Sequence, residues 1–192
     1  MHILSKVYGT HTPQMHIDLN SHLVVEAIYQ PSPNCDARPQ AAVPELIVMH
    51  GISLPPGEYG GGYVQQFFSN VLDETVHPYF SEIACLKVSS HLFIERNGRL
   101  TQFVPLNQRA WHAGQSCYQG REACNDFSIG IELEGTDDDA YSEQQYAVLK
   151  PLIDCLQQTY KTLAPKAVVG HSDIAPGRKT DPGTSFDWAR IR

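Results

Sequence analysis

An α/β (α+β) fold, with a central mixed sheet of about five or six strands flanked by helices, is what this sequence predicts. Three observations carry that expectation: apolar runs of strand length, a hairpin signal at Asn97-Gly98, and one long amphipathic helix towards the C-terminal end.

Taken in order, residues 1–27 read as an N-terminal extension with a short strand at 22–25, and residues 28–192 as one catalytic domain. Three prolines between positions 31 and 39, two of them within Pro31-Ser32-Pro33-Asn34, make the domain's start irregular. Glu45 to Met49 is a short continuous apolar run, expected as a buried strand that ends at His50. A Gly/Pro-rich loop spans Pro55 to Gly62, and Tyr63 to Asn70 suits a short helix. Val88 to Glu95 and Leu100 to Val104 flank Asn97-Gly98, a pair favoured where both turn residues take positive φ. Ser128 to Glu134 alternates as a strand does. Ser142 and Gln145 have capping-box spacing ahead of a stripe of Tyr146, Leu149, Leu152, Ile153, Leu156, Tyr160 and Leu163. Pro151 lies inside that stripe and predicts a kink, because it lacks the amide donor. Ala167 to Val169 is a last short strand before His171.

Composition narrows the function classes. A chain of 192 residues with 42% hydrophobic and 18% charged residues suits one folded domain and argues against a disordered chain. Its net charge of -7, without a basic stripe, argues against a nucleic-acid partner. No apolar run approaches the roughly 18 residues of a membrane span, and Met1 to Val7 lacks the basic-then-apolar pattern of a secretory signal. The five cysteines are odd in number and irregularly spaced, so neither a zinc finger nor a disulfide framework is legible. Reduced thiols in a cytoplasmic protein are the expectation. Without heptads or an apolar surface stripe, a monomer is expected.

His50 and His171 each follow a predicted strand, and Asp181 stands ten residues beyond His171 in a Pro/Gly-rich loop. Imidazole nitrogens and a carboxylate oxygen are zinc ligands, and three of them leave a fourth position open for water. From spacing alone, two ordinary strand-end histidines and a turn aspartate serve as well.

The run Gly170-His171-Ser172-Asp173-Ile174-Ala175-Pro176-Gly177-Arg178-Lys179-Thr180-Asp181-Pro182-Gly183 resembles the C-terminal signature of the zinc-dependent N-acetylmuramoyl-L-alanine amidases. The likeness extends to Pro31–Asn34, His50–Gly57, Arg109–Gly114, Tyr118–Arg121 and Cys124–Gly135, covering about residues 28 to 190. It is strongest to the branch that recycles anhydro-muropeptides in the cytoplasm. The resemblance implies a peptidoglycan-recognition/amidase-like fold, with a Zn2+ cofactor on His50, His171 and Asp181. It implies peptidoglycan fragments as substrate, cut between the lactyl group of muramic acid and L-alanine.

Such a reaction needs a carboxylate to move the water proton and a cation near the carbonyl. The resemblance puts those roles on Glu132 and Lys179, whereas alternation alone points Glu132 and Glu134 to the same face. An exposed strand carboxylate and a solvated loop lysine are the plainer alternatives. Gly51, Lys87, His91, Trp111 and Arg121 are the candidate substrate contacts. For His91 a core histidine bonded to backbone is the equal alternative, and for Trp111 simple burial. Asp173 could orient His171 or cap a turn. In the recycling branch Asn usually follows the first histidine and Arg stands at the positions of Lys87 and Ala123, places associated with the anhydro sugar and the stem-peptide carboxylates. Here Gly51, Lys87 and Ala123 depart from that pattern, and Arg121 stands two residues from the missing charge. The competing readings are a broader amidase that also cuts intact wall and a peptidoglycan-binding module without catalysis.

Overall fold

The computed structural model describes residues 14–39, 42–163, 165 and 167–192; the first thirteen residues of the expected extension lie outside them. The remainder of that extension is packed. A ribbon of β1 (Ile17–Asp18) and β2 (Leu23–Val24) carries Met15 and Val24 into the main core. β3 (Ile28–Tyr29) then joins the central sheet, and β4 (Cys35–Ala37) follows on its own.

β5 (Leu46–Ile52) runs past the expected end, so His50 sits within the strand and not beyond it. The apolar pattern stops at Met49 because the site begins there, while the ladder continues: β5 pairs in parallel with β11 (Ser128–Glu134) through Ile52. After β5 come α1 (Tyr63–Phe68) and α2 (Pro78–Ile83). The second of these was not expected, although His77-Pro78 is a start signal. The His77 ring accepts from the Tyr79 amide at 3.1 Å, and Pro78 takes the first-turn place that needs no amide.

β6 (Leu92–Ile94) and β7 (Leu100–Gln102) form the expected hairpin with shorter strands. Its turn corrects the expectation at Asn97-Gly98. Of the two residues, Gly98 alone has positive φ, and the bonds Gly98 N to Glu95 O and Glu95 N to Arg99 O close a longer loop. A type I turn completed by a left-handed glycine needs one positive φ, not two. β8 (Gln108–Ala110) pairs with β4, and β9 (Cys117–Tyr118) with β10 (Arg121–Glu122), both antiparallel.

α3 (Glu143–Thr159) opens on the expected capping box. Ser142 Oγ accepts from Gln145 N at 3.1 Å, and Gln145 Oε1 from Ser142 N at 2.9 Å. The helix accommodates Pro151 and ends at Thr159, because Tyr160 turns extended; Leu163 still reaches the core. Ser142→Ala should cost about 1 kcal/mol, read as a lower denaturation midpoint at unchanged slope. β12 (Val168–Gly170) leads directly into α4 (His171–Ile174).

Among the described residues the central sheet has six strands in the order β12-β5-β11-β6-β7-β3. β12, β5, β11 and β6 are mutually parallel, and β7 runs against β6. Strand alternation divides the faces. Ile47, Met49, Ile129, Ile131 and Leu133 pack under Leu149, Leu152, Ile153 and Leu156 of α3. Leu46, Val48, His50 and Ser128, Gly130, Glu132, Glu134 occupy the other face, where a second core of Phe67, Phe68, Phe80 and Phe93 forms beside α1 and α2. Burial on both faces explains why β5 reads as a continuous apolar run. No helix among the described residues is long and apolar enough to cross a membrane.

Candidate active site

The parallel register of β5 and β11 sets Glu132 directly beside His50. β12 pairs with β5 so that Gly170 lies opposite Met49, and the next residue, His171, opens α4 next to His50. The chain then loops back, and Ser172 N donates to Asp181 O at 3.0 Å, bringing the Asp181 side chain to both rings.

The three predicted ligands therefore meet. His50 Nδ1 and His171 Nδ1 are 2.9 Å apart, and Asp181 Oδ2 lies 3.2 and 3.0 Å from them. Among the described residues these are the His, Cys, Asp and Glu side chains gathered closely enough to hold a metal ion. Their outer contacts suit that role. His171 Nε2 faces the Ala113 carbonyl at 3.1 Å; a carbonyl accepts only, so Nε2 carries the hydrogen and Nδ1 presents a lone pair inward. Two imidazole nitrogens and a carboxylate oxygen converging this closely need a proton or a metal ion among them. The donor set fits a metal ion, with its open side on the cleft.

Burial pushes His50 down to about 4, with the Asp181 contact opposing, so its imidazole is neutral and in the ligating form near neutral pH. Burial would raise the Asp181 carboxyl, but its contacts with His171 and His50 outweigh that and hold it well below the usual carboxylate range.

Sequence reasoning did not single out His112 as a site residue. Its Nδ1 lies 2.9 Å from His50 Nε2 and its Nε2 3.1 Å from Ser128 Oγ, so it supports the outer side of the His50 ring. Gly130 makes this possible, since a Cβ there would stand 2.6 Å from the His112 ring. The signal was the histidine inside Arg109-Ala110-Trp111-His112-Ala113-Gly114, which patterning cannot tell from a packing residue. Asp173 does not orient His171: it caps α4, accepting from Gly170 N at 2.8 Å, while the Ala113 carbonyl takes the orienting role.

Glu132 and Glu134 share a face but not a fate. Glu134 is committed to structure, with Oε1 accepting from Gly60 N at 2.6 Å and Oε2 from Arg96 N at 3.0 Å. Glu132 is buried beside the triad, and its Oε2 has no hydrogen-bond partner among the described residues. Burial and the Asp181 carboxylate push its carboxyl well above the ordinary value, with Lys179 opposing. A buried carboxylate oxygen without a partner is costly to keep in a fold, which makes Glu132 a candidate for a functional role.

A cleft of about 390 Å³ opens over these groups, lined by His50, Gly51, Trp111, Glu132, Lys179 and Asp181 with an apolar wall that includes Leu54, Phe67 and Ile83. Lys87 is exposed at its rim, between the lining residues Leu86 and Val88. Two expected contacts fall elsewhere. His91 is fully buried, its Nδ1 accepting from Gly130 N at 3.0 Å and its Nε2 facing the Gln108 carbonyl at 3.0 Å, which is the core alternative. Arg121 pairs with Glu45 at 3.0 Å and lies 3.8 Å over the Phe127 ring, beside the opposite end of β5. The two-residue β9–β10 ribbon that carries it could not be read from pattern.

Comparison with known proteins bears on the family and the fold. A family profile described as N-acetylmuramoyl-L-alanine amidase matches residues 40–184. The 1,6-anhydro-N-acetylmuramyl-L-alanine amidase AmpD of Escherichia coli (strain K12) is 57% identical over 166 residues, covering 84% of this chain and 88% of that protein. The crystal structure of a Se-Met AmpD derivative superposes with a TM-score of 0.89 at 52% identity, covering 93% of this chain and 98% of that one. AmiD from E. coli, in complex with anhydro-N-acetylmuramic acid-L-Ala-D-gamma-Glu-L-Lys, matches at a TM-score of 0.56 and 31% identity over 79% of this chain and 58% of its own. With the family profile spanning most of the chain and the fold shared over 93% of it, this protein belongs to the N-acetylmuramoyl-L-alanine amidases, a family of hydrolases.

Proposed function

We propose that this chain hydrolyses the amide between the lactyl group of 1,6-anhydro-N-acetylmuramic acid and L-alanine in soluble peptidoglycan fragments, as a zinc enzyme of cell-wall recycling. The observation that carries the substrate is the 57% identity, over 84% of the chain, to a relative named for that activity. The observation that supports the chemistry is a buried carboxylate oxygen, Glu132 Oε2, without a hydrogen-bond partner among the described residues, set beside a His-His-Asp cluster.

His50, His171 and Asp181 would hold the zinc. When bound, zinc polarises the scissile carbonyl and lowers the pKa of water towards ~7. Glu132 takes the proton of the attacking water and returns it to the leaving alanine nitrogen. Lys179, on the cleft wall, offsets the negative charge that develops on the carbonyl oxygen. Trp111 and Gly51 contact the substrate from the cleft lining, and Lys87 meets its charged groups at the rim. The Leu54, Phe67 and Ile83 wall keeps bulk water from the reacting atoms and strengthens the electrostatics inside. We assign the enzyme to the cytoplasm as a monomer, in keeping with five cysteines that are all unpaired among the described residues.

The test is a product assay by mass spectrometry, with zinc-loaded protein incubated separately with an anhydro-muropeptide and with intact sacculi. Free peptide from the soluble fragment alone is the expected result. Release from both substrates would make this a broader wall amidase, and release from neither would leave a binding module.

A further inference from the structure

Gly51 faces the cleft on one side, but its missing side chain points elsewhere. A Cβ at Gly51 would fall inside contact distance of the Tyr141 hydroxyl, with Pro182 Cα 3.7 Å away. Gly135, where β11 ends, meets the same ring: a Cβ there would collide with Tyr141 Cε1 and stand 3.0 Å from Cζ. Gly51 within β5 and Gly135 just past the end of the neighbouring β11 form a notch that the Tyr141 ring fills, and Phe186 closes it edge-on with ring centroids 5.6 Å apart. Glycine weakens a strand interior, so its presence within β5 marks a close approach, and this ring is what approaches.

The buried Tyr141 hydroxyl donates to the Pro182 carbonyl at 2.9 Å. Pro182 follows Asp181 and Gly51 follows His50, so one hydroxyl touches the chain next to two of the three donors, from behind the cleft. The Asp181 loop, with Pro176-Gly177 before it and Pro182-Gly183 after it, needs such a restraint. Ser172 N ties it to α4, and Tyr141 ties it to the segment between β11 and α3.

We infer that Tyr141 is a positioning residue for the Asp181 carboxylate, and that Gly51 is glycine to admit it. Through the Pro182 carbonyl, Tyr141 holds Asp181 at its 3.0 and 3.2 Å distances from the two imidazoles. A ligand held in place loses less freedom when the metal binds, so the brace acts on metal retention more than on substrate binding. The inference rests on the zinc reading above.

The experiment measures zinc stoichiometry of the full chain first, then the rate of zinc release into excess chromogenic chelator. Tyr141→Phe keeps the ring and removes one buried hydrogen bond, so release should quicken by about two- to tenfold. Gly51→Ala should quicken it comparably by displacing the hydroxyl. The double variant should release zinc no faster than the faster single one, because both act through the same bond. Ser142→Ala weakens α3 at the adjacent residue and should leave the release rate near the wild-type value. Wild-type release from Tyr141→Phe, multiplying effects in the double variant, or equal quickening by Ser142→Ala would each overturn the inference while leaving the zinc reading intact. A wild-type chain that takes up no zinc would overturn both.

Discussion

Glu132→Gln is expected to lower turnover by between about 10² and 10⁴, some 3–5 kcal/mol of transition-state stabilisation, while bound zinc stays at the wild-type level. Glutamine has the shape of glutamate but can neither take the water proton nor deliver it to the leaving nitrogen. Because Glu132 is not among the three converging donors, metal content should not follow activity down. The same substitution should leave the fold as stable or stabilise it slightly, since it removes a buried carboxyl whose Oε2 has no partner among the described residues. Steady-state kinetics on a soluble muropeptide, elemental analysis and a denaturation curve read the three quantities separately. Turnover within a few fold of wild type would remove Glu132 from the proton-transfer role. Glu134 supplies the contrast: its oxygens hold Gly60 N and Arg96 N, so its loss would loosen those loops and not the chemistry.

Asp181→Ala is expected to weaken zinc binding by about two orders of magnitude, with activity lost at ordinary zinc concentrations. Zinc binding energies of roughly 10–16 kcal/mol, shared among four ligands, come to about 3 kcal/mol for each. Alanine also leaves two neutral imidazoles to hold the ion without a compensating negative charge. Competition against a chelator of known affinity measures the change, and activity should return partway as zinc is raised. The thermal stabilisation that zinc confers on the wild type should shrink in parallel, because it depends on the ratio of free zinc to the dissociation constant. Full zinc retention in this variant would mean that another side chain completes the site, and His112, 2.9 Å from His50 Nε2, would be the first to test.

Much of this protein was legible before any coordinates. The run at 45–49, the alternation at 128–134 and the Ser142 capping box report local physics: burial on two faces, a period of two, and orphan amides at a helix start. Each survives in the fold because tertiary packing reinforces the same preference. The motif from Gly170 to Gly183 pointed to His171 and Asp181 as candidate ligands, and the loop after α4 brings them within 3.0 Å of each other. Where local preference and the site conflict, reading by pattern fell short. The strand was expected to end at His50 because apolarity ends there, although the backbone ladder, which side-chain polarity does not govern, continues to Ile52.

By itself, then, the sequence determined the fold class, the helix start at Ser142 and the family, and it pointed to three residues that the fold brings together as a candidate metal site. Tertiary structure separates the two same-face glutamates, which strand alternation could not, since Gly60 and Arg96 reach Glu134, while Glu132 Oε2 has no partner among the described residues. It also withdrew His91 into the core and Arg121 to the far end of the sheet, brought His112 behind His50, and filled the space beside Gly51 with Tyr141. The physical reason is common to all of these. A periodic pattern specifies the face on which a side chain stands, but its partner comes from a segment 38 to 90 residues away, and only the folded chain brings the two together.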